Sequence, residues 1–403
     1  MKKFFALVLL ASLLLHYTTT FAAEQPQNLS SKAVALASAE NGQILFDING
    51  HDKFPPGGLT KVLTAIVALE QKNSDDPVTI SNELAQYVLS TDPTAKLRAG
   101  EEIQLKHLIN AMLVGNANDA AIAIALFVSG DVDTFCGLMN SRAERLGCQN
   151  SFFVNATGND DAMQYSTAID LAKIMHHAVS MAYLNSVLET TVTTIPPTNM
   201  STERKYTSNN HIIQPQQNKY YYSDALGGKT GYIDGLGYNL ASSASRDDIS
   251  LICVVIGADE SNGNILSFVD IREVFEYGFK QFLNITPVDK DYNAGSIIVE
   301  RSFTTSVTLK AASEFSFLMD RDSTEGNVVK RLEVPEKLVA PVKKGSPVGT
   351  LVFEYGGQVI GSVPLVAGED ANISVSTVNI AILSASFIVV IYIFVIIFKS
   401  FRE

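Results

Sequence analysis

The spacing of apolar and polar positions changes several times along the 403-residue chain, and each change marks an element. Phe4 to Leu15 is an apolar run behind Lys2 and Lys3, followed by Thr20-Phe21-Ala22 and then Glu24. The run is shorter than the roughly 20 residues that cross a bilayer, so it predicts a cleaved export signal over residues 1–23. Ala33 to Leu36 and Gln43 to Asp47 read as two strands around the turn Glu40-Asn41-Gly42. Helical spacing then predicts helices over Thr60–Glu70, Leu105–Met112, Ala117–Phe127, Val132–Leu146 and Ser166–Ala178. Alternation at Tyr238–Ala244 and the continuous apolar run Leu251–Ile256 predict two strands joined by Ser245-Arg246-Asp247-Asp248, with a helix from Leu266 to Phe282 behind them. Strands at both ends with helices between them predict an α+β domain on an antiparallel sheet, spanning 24–284.

Past a short linker at Asn284–Asp289 the helical period disappears. Short alternating runs such as Ser296–Val299, Val307–Leu309, Arg331–Val334, Thr350–Phe353 and Gln358–Ile360 are separated by turn residues, predicting a small all-β domain over 285–372. Val378 to Phe398 is almost wholly apolar and is followed at once by Lys399 and Arg402. Its length and flanking charge predict a transmembrane helix over 377–398 and a cytoplasmic tail over 399–403, with the body of the protein on the outer side.

Composition adds exclusions. A formal net charge of −12 with no basic block argues against a nucleic-acid surface, and 46% hydrophobic residues suffice for packed cores. Cys136, Cys148 and Cys253 are odd in number and lie in apolar contexts, so they read as small buried hydrophobes, although one pair could bond. No Cys or His cluster has metal-ligand spacing, and neither metal nor cofactor is expected.

Three constellations carry chemistry. Gly58-Leu59-Thr60-Lys61 opens a helix, and a spacing of three puts positions 58 and 61 on one face. An amine at 61 is placed to take a proton from a hydroxyl at 58, but glycine has none; taken alone, Lys61 also fits an ordinary surface lysine. Thr64, one turn beyond, fits a packing threonine. In Asn116-Ala117-Asn118, Asn116 fits a helix cap, and its amide exchanges hydrogen bonds without shuttling a proton near neutral pH. Lys229-Thr230-Gly231, at the edge of a strand, offers an amine and a hydroxyl to a carboxylate, with a glycine that lets a ligand approach the backbone. Three such letters also fit a plain turn.

Together and in this order, these motifs resemble those of the low-molecular-mass penicillin-binding proteins, the serine-type D-alanyl-D-alanine carboxypeptidases. The resemblance runs from about Ala33 to Asn372 and includes Leu36–Phe46, Pro93–Glu101, Phe153-Val154-Asn155-Ala156-Thr157-Gly158 and Ser166–Ala172. Ala340–Gly345 and Val363–Ala367 resemble pieces of the family's carboxyl-terminal β domain. It implies a penicillin-binding-protein/serine β-lactamase-like transpeptidase fold and action on the D-Ala-D-Ala end of peptidoglycan stem peptides. It further implies that position 58 is the nucleophile, Lys61 the base, position 116 the proton relay and Asn118 a substrate-orienting amide. Lys229, Thr230 and Gly231 would bind ligand, and the backbone N–H groups of Gly58 and Tyr232 would form an oxyanion hole. The sequence departs from the family pattern at Gly58 and Asn116, where serines are expected, at Gln164, where histidine is common, and at Ile169, where arginine is common. The first two departures remove both active-site hydroxyls. The expectation is therefore a membrane-anchored homologue with impaired catalysis that binds cell-wall peptide or a partner; the alternative is an active carboxypeptidase trimming stem pentapeptides.

Overall fold

The computed structural model describes residues 24–215, 219–323, 328–374 and 377–400. The export signal read in 1–23 and the last residues of the tail, 401–403, lie outside them. The chain forms two compact units: one runs to Asn284 and also takes Phe317–Ser323, and the other takes Ile285–Ser316 with the described residues after Ser323. The recruitment of Phe317–Ser323 into the first unit is invisible in the sequence pattern, which places the whole of 285–372 in the second.

Five antiparallel strands organise the first unit. They are β1 (Ala33–Ser38), β2 (Ile44–Ile48), β3 (Ala225–Ile233), β4 (Gly237–Arg246) and β5 (Ile249–Ala258), in the order β2-β1-β5-β4-β3. Side chains alternate between its faces. Ala33, Ala35, Ala37, Ile252, Val254 and Ile256 join one buried cluster, whereas Val34, Leu36, Leu251, Cys253 and Val255 join another. The first cluster is completed by α1 (Thr60–Gln71), α2 (Leu105–Leu113), α3 (Asn118–Ser129), α4 (Val132–Arg145) and α5 (Ala168–Ser180). The second is completed by α6 (Ser267–Gln281), through Phe268, Ile271, Val274 and Phe275, with Leu318 from the recruited segment. A sheet covered on both faces explains why β5 reads as a continuous apolar run rather than an alternating one. The three cysteines are free and buried, as apolar packing residues.

The second unit is built on a six-stranded sheet. Its strands β6 (Asn293–Glu300), β7 (Ser306–Ala311), β8 (Val328–Glu333), β9 (Lys337–Val339), β10 (Pro347–Tyr355) and β11 (Gln358–Ala367) run in the order β8-β10-β11-β7-β6-β9. All pairings are antiparallel except that of β6 with β9. The chain ends in α7 (Thr377–Ser400), a helix of 24 residues. Its side chains from Leu383 to Phe398 are exposed and, apart from Ser384 and Ser386, largely apolar. Among the described residues, no single helix is long and apolar enough to cross a membrane, Leu383–Phe398 being shorter than that requirement.

Candidate functional site

The first unit brings Gly58, Lys61, Asn116, Asn118, Lys229, Thr230 and Gly231 together from three directions. Gly58 sits in a single 3-10 turn, Gly57–Leu59, that leads directly into α1. That turn is pinned from the sheet: Asn239 on β4 donates through Nδ2 to the carbonyls of Pro55 and Pro56, both at 3.2 Å, and accepts from the Gly257 N–H at 2.9 Å. From the other side the loop 153–159 packs so tightly that a Cβ on Gly158 would lie 1.8 Å from the Gly57 carbonyl oxygen. Gly158 also has φ +83°, so backbone conformation and space both demand glycine there.

α1 carries its polar side chains inward against that loop. Lys61 is 2% exposed and donates through Nζ to the Thr157 carbonyl at 2.7 Å, and one turn later Thr64 Oγ1 donates to the Ala156 carbonyl at 2.8 Å. Lys61 is therefore no surface lysine. Burial, reinforced by the charge of Lys229 and opposed by Asp92, holds its amine well below the ordinary lysine range. The loop that receives it is organised by Gln164, whose Oε1 accepts from the Val154 and Asn155 N–H groups while Nε2 donates to the Asn159 carbonyl. Asn155 Oδ1 in turn accepts from the Thr157 and Gly158 N–H groups. The residue standing where histidine is common thus has a scaffolding role.

Asn118 begins α3. Its Nδ2 donates to Asp92 Oδ1 and Asn159 Oδ1, each at 2.8 Å, and its Oδ1, on a side chain only 3% exposed, has no hydrogen-bond partner. Asn116 does not cap this helix; the cap position is Ala117 and makes no side-chain bond. Asn116 instead adopts φ +57°, a conformation asparagine tolerates better than most residues, and presents Oδ1 to Lys229 Nζ at 2.9 Å. Lys229 is 1% exposed, and burial pushes its amine down to about 7.

Lys229-Thr230-Gly231 lies inside β3, the edge strand of the sheet, rather than ahead of a strand. The glycines at 227, 228 and 231 weaken the strand pattern in the sequence. Thr230 Oγ1 donates to Asn209 Oδ1 at 2.6 Å. The strand lies directly against the turn: a Cβ on Gly231 would be 2.8 Å from the Gly58 nitrogen, and a Cβ on Gly58 would be 2.7 Å from the Thr230 carbonyl oxygen. Tyr232, just beyond, is 55% exposed, with its ring 4.9 Å from that of Tyr238. Ile169 is buried in the core and takes no part in this polar set. Four participants escape sequence reading: Asp92, Asn159 and Asn209 carry no motif signal, and Thr157 acts through its carbonyl.

Chemically, the arrangement holds two buried amines and several amides but no hydroxyl at 58 or 116. No ester can form at residue 58, and no proton can pass through residue 116. Among the described residues, no group of three or more His, Cys, Asp or Glu side chains is placed to hold a metal ion.

Comparisons with known proteins agree with this architecture. The family model described as D-alanyl-D-alanine carboxypeptidase matches residues 19–260, and that described as penicillin-binding protein 5, C-terminal domain, matches residues 282–372. D-alanyl-D-alanine carboxypeptidase DacC of Escherichia coli is 30% identical over 377 residues, 89% of this chain and 90% of its own. DacF of Bacillus subtilis is 26% identical over 386 residues, 92% of this chain and 95% of its own. The structure of penicillin-binding protein 5 from Haemophilus influenzae superposes with a TM-score of 0.69 at 24% identity, covering 87% of this chain and all of that one. That of PBP3 from Streptococcus pneumoniae gives 0.74 at 20% identity, covering 86% of this chain and all of that one; both likenesses speak to fold alone. With more than half of its length matched by the family model, and the β domain matched behind it, the chain belongs to the D-alanyl-D-alanine carboxypeptidase family.

Proposed function

We propose that this chain is an exported, membrane-tethered member of its family that binds the D-Ala-D-Ala end of cell-wall stem peptides without forming an acyl enzyme. The observation that carries the reading is Gly58, whose Cα is packed under the Thr230 carbonyl with no oxygen to attack a peptide and no room for one. Deleting a serine nucleophile costs on the order of 10⁶ in turnover, which leaves an amide hydrolase without useful activity. What favours binding is the set of groups that remains: Lys229 and Thr230 for a carboxylate, the unpartnered Asn118 Oδ1 for a ligand N–H, and the backbone N–H groups of Gly58 and Tyr232 for a carbonyl oxygen. The exposed apolar side chains of α7 support tethering at the carboxyl end, and the run in 1–23 supports export. Incubation of the full chain with a fluorescent penicillin tests the proposal: no covalent band is expected, while a D-Ala-D-Ala tripeptide should raise the melting temperature. A covalent adduct overturns it.

One observation favours a second reading. Lys61 is buried with its amine held well below the ordinary lysine range, and a water activated by it would give slow hydrolysis. D-alanine released from a pentapeptide by the wild-type chain, and not by Lys61→Ala, would establish that route.

A further inference from the structure

We propose that Asn209 is an internal occupant of the position where a ligand carboxylate meets Thr230, and so competes with a ligand carboxyl group for that hydroxyl. The inference rests on the reading that the groove binds peptide. Thr230 Oγ1 has a single proton to donate, and it is committed to the Asn209 amide oxygen at 2.6 Å. Any ligand that accepts this proton must first displace Asn209. A carboxylate is a stronger acceptor than a neutral amide because its bond is charge-assisted. A peptide with a free carboxyl end therefore gains from the exchange, whereas one ending in an amide trades like for like and has no reason to dislodge Asn209. The contact therefore lowers the affinity of a ligand that takes its place by the cost of displacing it, so removing it should tighten binding.

A second observation is that the Asn209 side chain can leave Thr230 without disturbing its own segment. Asn209 is exposed, so its side chain is free to swing into solvent. Its neighbour Asn210 is 1% exposed, yet neither Nδ2 nor Oδ1 has a hydrogen-bond partner. Burying an amide with both ends unpaired is unfavourable. The segment is otherwise tied to itself, through the Asn210 N–H on Ser208 Oγ and the Gln214 amide on the Ser208 carbonyl, contacts that a side-chain rotation at 209 leaves intact.

The test measures binding of a diacetylated lysyl-D-alanyl-D-alanine tripeptide and of the same tripeptide with an amidated end, by calorimetry on the full chain. Removing one competing hydrogen bond predicts that Asn209→Ala binds the free acid about fivefold more tightly than the wild type. The wild type should prefer the free acid to the amide, and Asn209→Asp, which sets a fixed negative charge against Thr230, should bind the acid more weakly than either. Unchanged or weaker acid binding by Asn209→Ala, with the wild type still binding, overturns the role of Asn209 and leaves the groove reading standing. If neither wild type nor Asn209→Ala binds either peptide, both fall. Should Asn209→Ala fold poorly, Asn209→Asp decides the matter: weaker acid binding than the wild type upholds the role, and unchanged binding overturns it.

Discussion

Placing a serine at position 58 is the obvious attempt to restore a family-type active site, and the structure predicts that it fails. A Cβ on residue 58 would stand 2.7 Å from the Thr230 carbonyl oxygen, 3.3 Å from the Gly231 Cα and 3.5 Å from Asn116 Oδ1. The last is an ordinary contact. The first is not, and the atom that must yield belongs to the backbone of β3. That strand is paired with β4 on one side, with Thr230 opposite Leu240, so it must move outward as a unit. Such a shift also pulls on Lys229–Asn116 and Thr230–Asn209, at 2.9 and 2.6 Å. Overpacking of this kind costs about 1–3 kcal/mol. For a domain of this size that corresponds to a fall in melting temperature of about 2–12 °C. Gly58→Ala adds the Cβ without the hydroxyl and should fall by nearly as much, which separates the steric effect from any polar one. The second expected outcome concerns acylation. Lys61 Nζ is committed to the Thr157 carbonyl, and Asn116 still stands where a proton relay would be. Gly58→Ser should therefore show no fluorescent-penicillin band, and Gly58→Ser with Asn116→Ser should gain at most slow labelling. Scanning calorimetry and gel fluorescence on the three variants decide this. Wild-type melting in both single variants, or rapid labelling of Gly58→Ser, would refute the argument.

Three further outcomes are expected. Lys61 and Lys229 are both lowered by burial, Lys229 to about 7, so the unfolded chain binds more protons than the folded one between pH 7 and the ordinary 10.5. Stability should accordingly rise with pH through that window, by at most about 1.4 kcal/mol per pH unit for each lysine, and Lys229→Met should flatten the slope in denaturant melts at pH 7, 8 and 9. Gly158→Ala puts a Cβ 1.8 Å from the Gly57 carbonyl on a residue at φ +83°, and should cost more than about 3 kcal/mol, seen as loss of soluble protein or of the thermal transition. Truncation after Ser374 should release the protein from a carbonate-washed membrane fraction; if the full chain is itself extracted by carbonate, tethering by α7 is wrong.

The parts of this molecule that sequence shows best are those governed by period. The strand Leu251–Ile256 is observed as Ile249–Ala258, because residues buried on both faces admit no polar interruption. The helix Thr60–Glu70 is observed as Thr60–Gln71, and the hairpin strands as Ala33–Ser38 and Ile44–Ile48. Short exposed pairs such as Val192–Ile195 with Arg204–Thr207 escape, since four alternating residues resemble any polar loop. Site residues divide the same way. Those at fixed short spacing along the chain, Gly58 with Lys61 and Asn116 with Asn118, can be read from a string. Asp92, Asn159 and Asn209 act through partners 26, 41 and 21 residues away, and no local pattern encodes such a meeting. Backbone geometry is hidden too: asparagine before a helix suggests a cap, and only the fold shows φ +57° turning its amide toward Lys229 instead.

The energetics of the polar set bear on whether the groove is a working site or a relic. Lys229 is a fully buried amine whose hydrogen bond to Asn116 brings no charge to offset its desolvation, and Lys61 is buried beside it. Asn118 Oδ1 and both ends of the Asn210 amide are buried without partners. Each feature is unfavourable to folding, by about 1–3 kcal/mol for an unpaired polar group. A unit acting only as a spacer would be more stable with methionine or leucine at 61 and 229, which pack the same volume without desolvating an amine. Local rules broken together at one place, on a scaffold that otherwise obeys them, mark the places where proteins carry function. Here the broken rules converge on the groove and include neither missing hydroxyl. Gly58 lies tightly against β3, whereas the two buried lysines and the unpaired asparagine amide atoms remain unrelieved. That contrast is what the proposed reversible binding predicts: buried amines and amides are kept at a cost to stability beside a residue 58 that has no side chain to react.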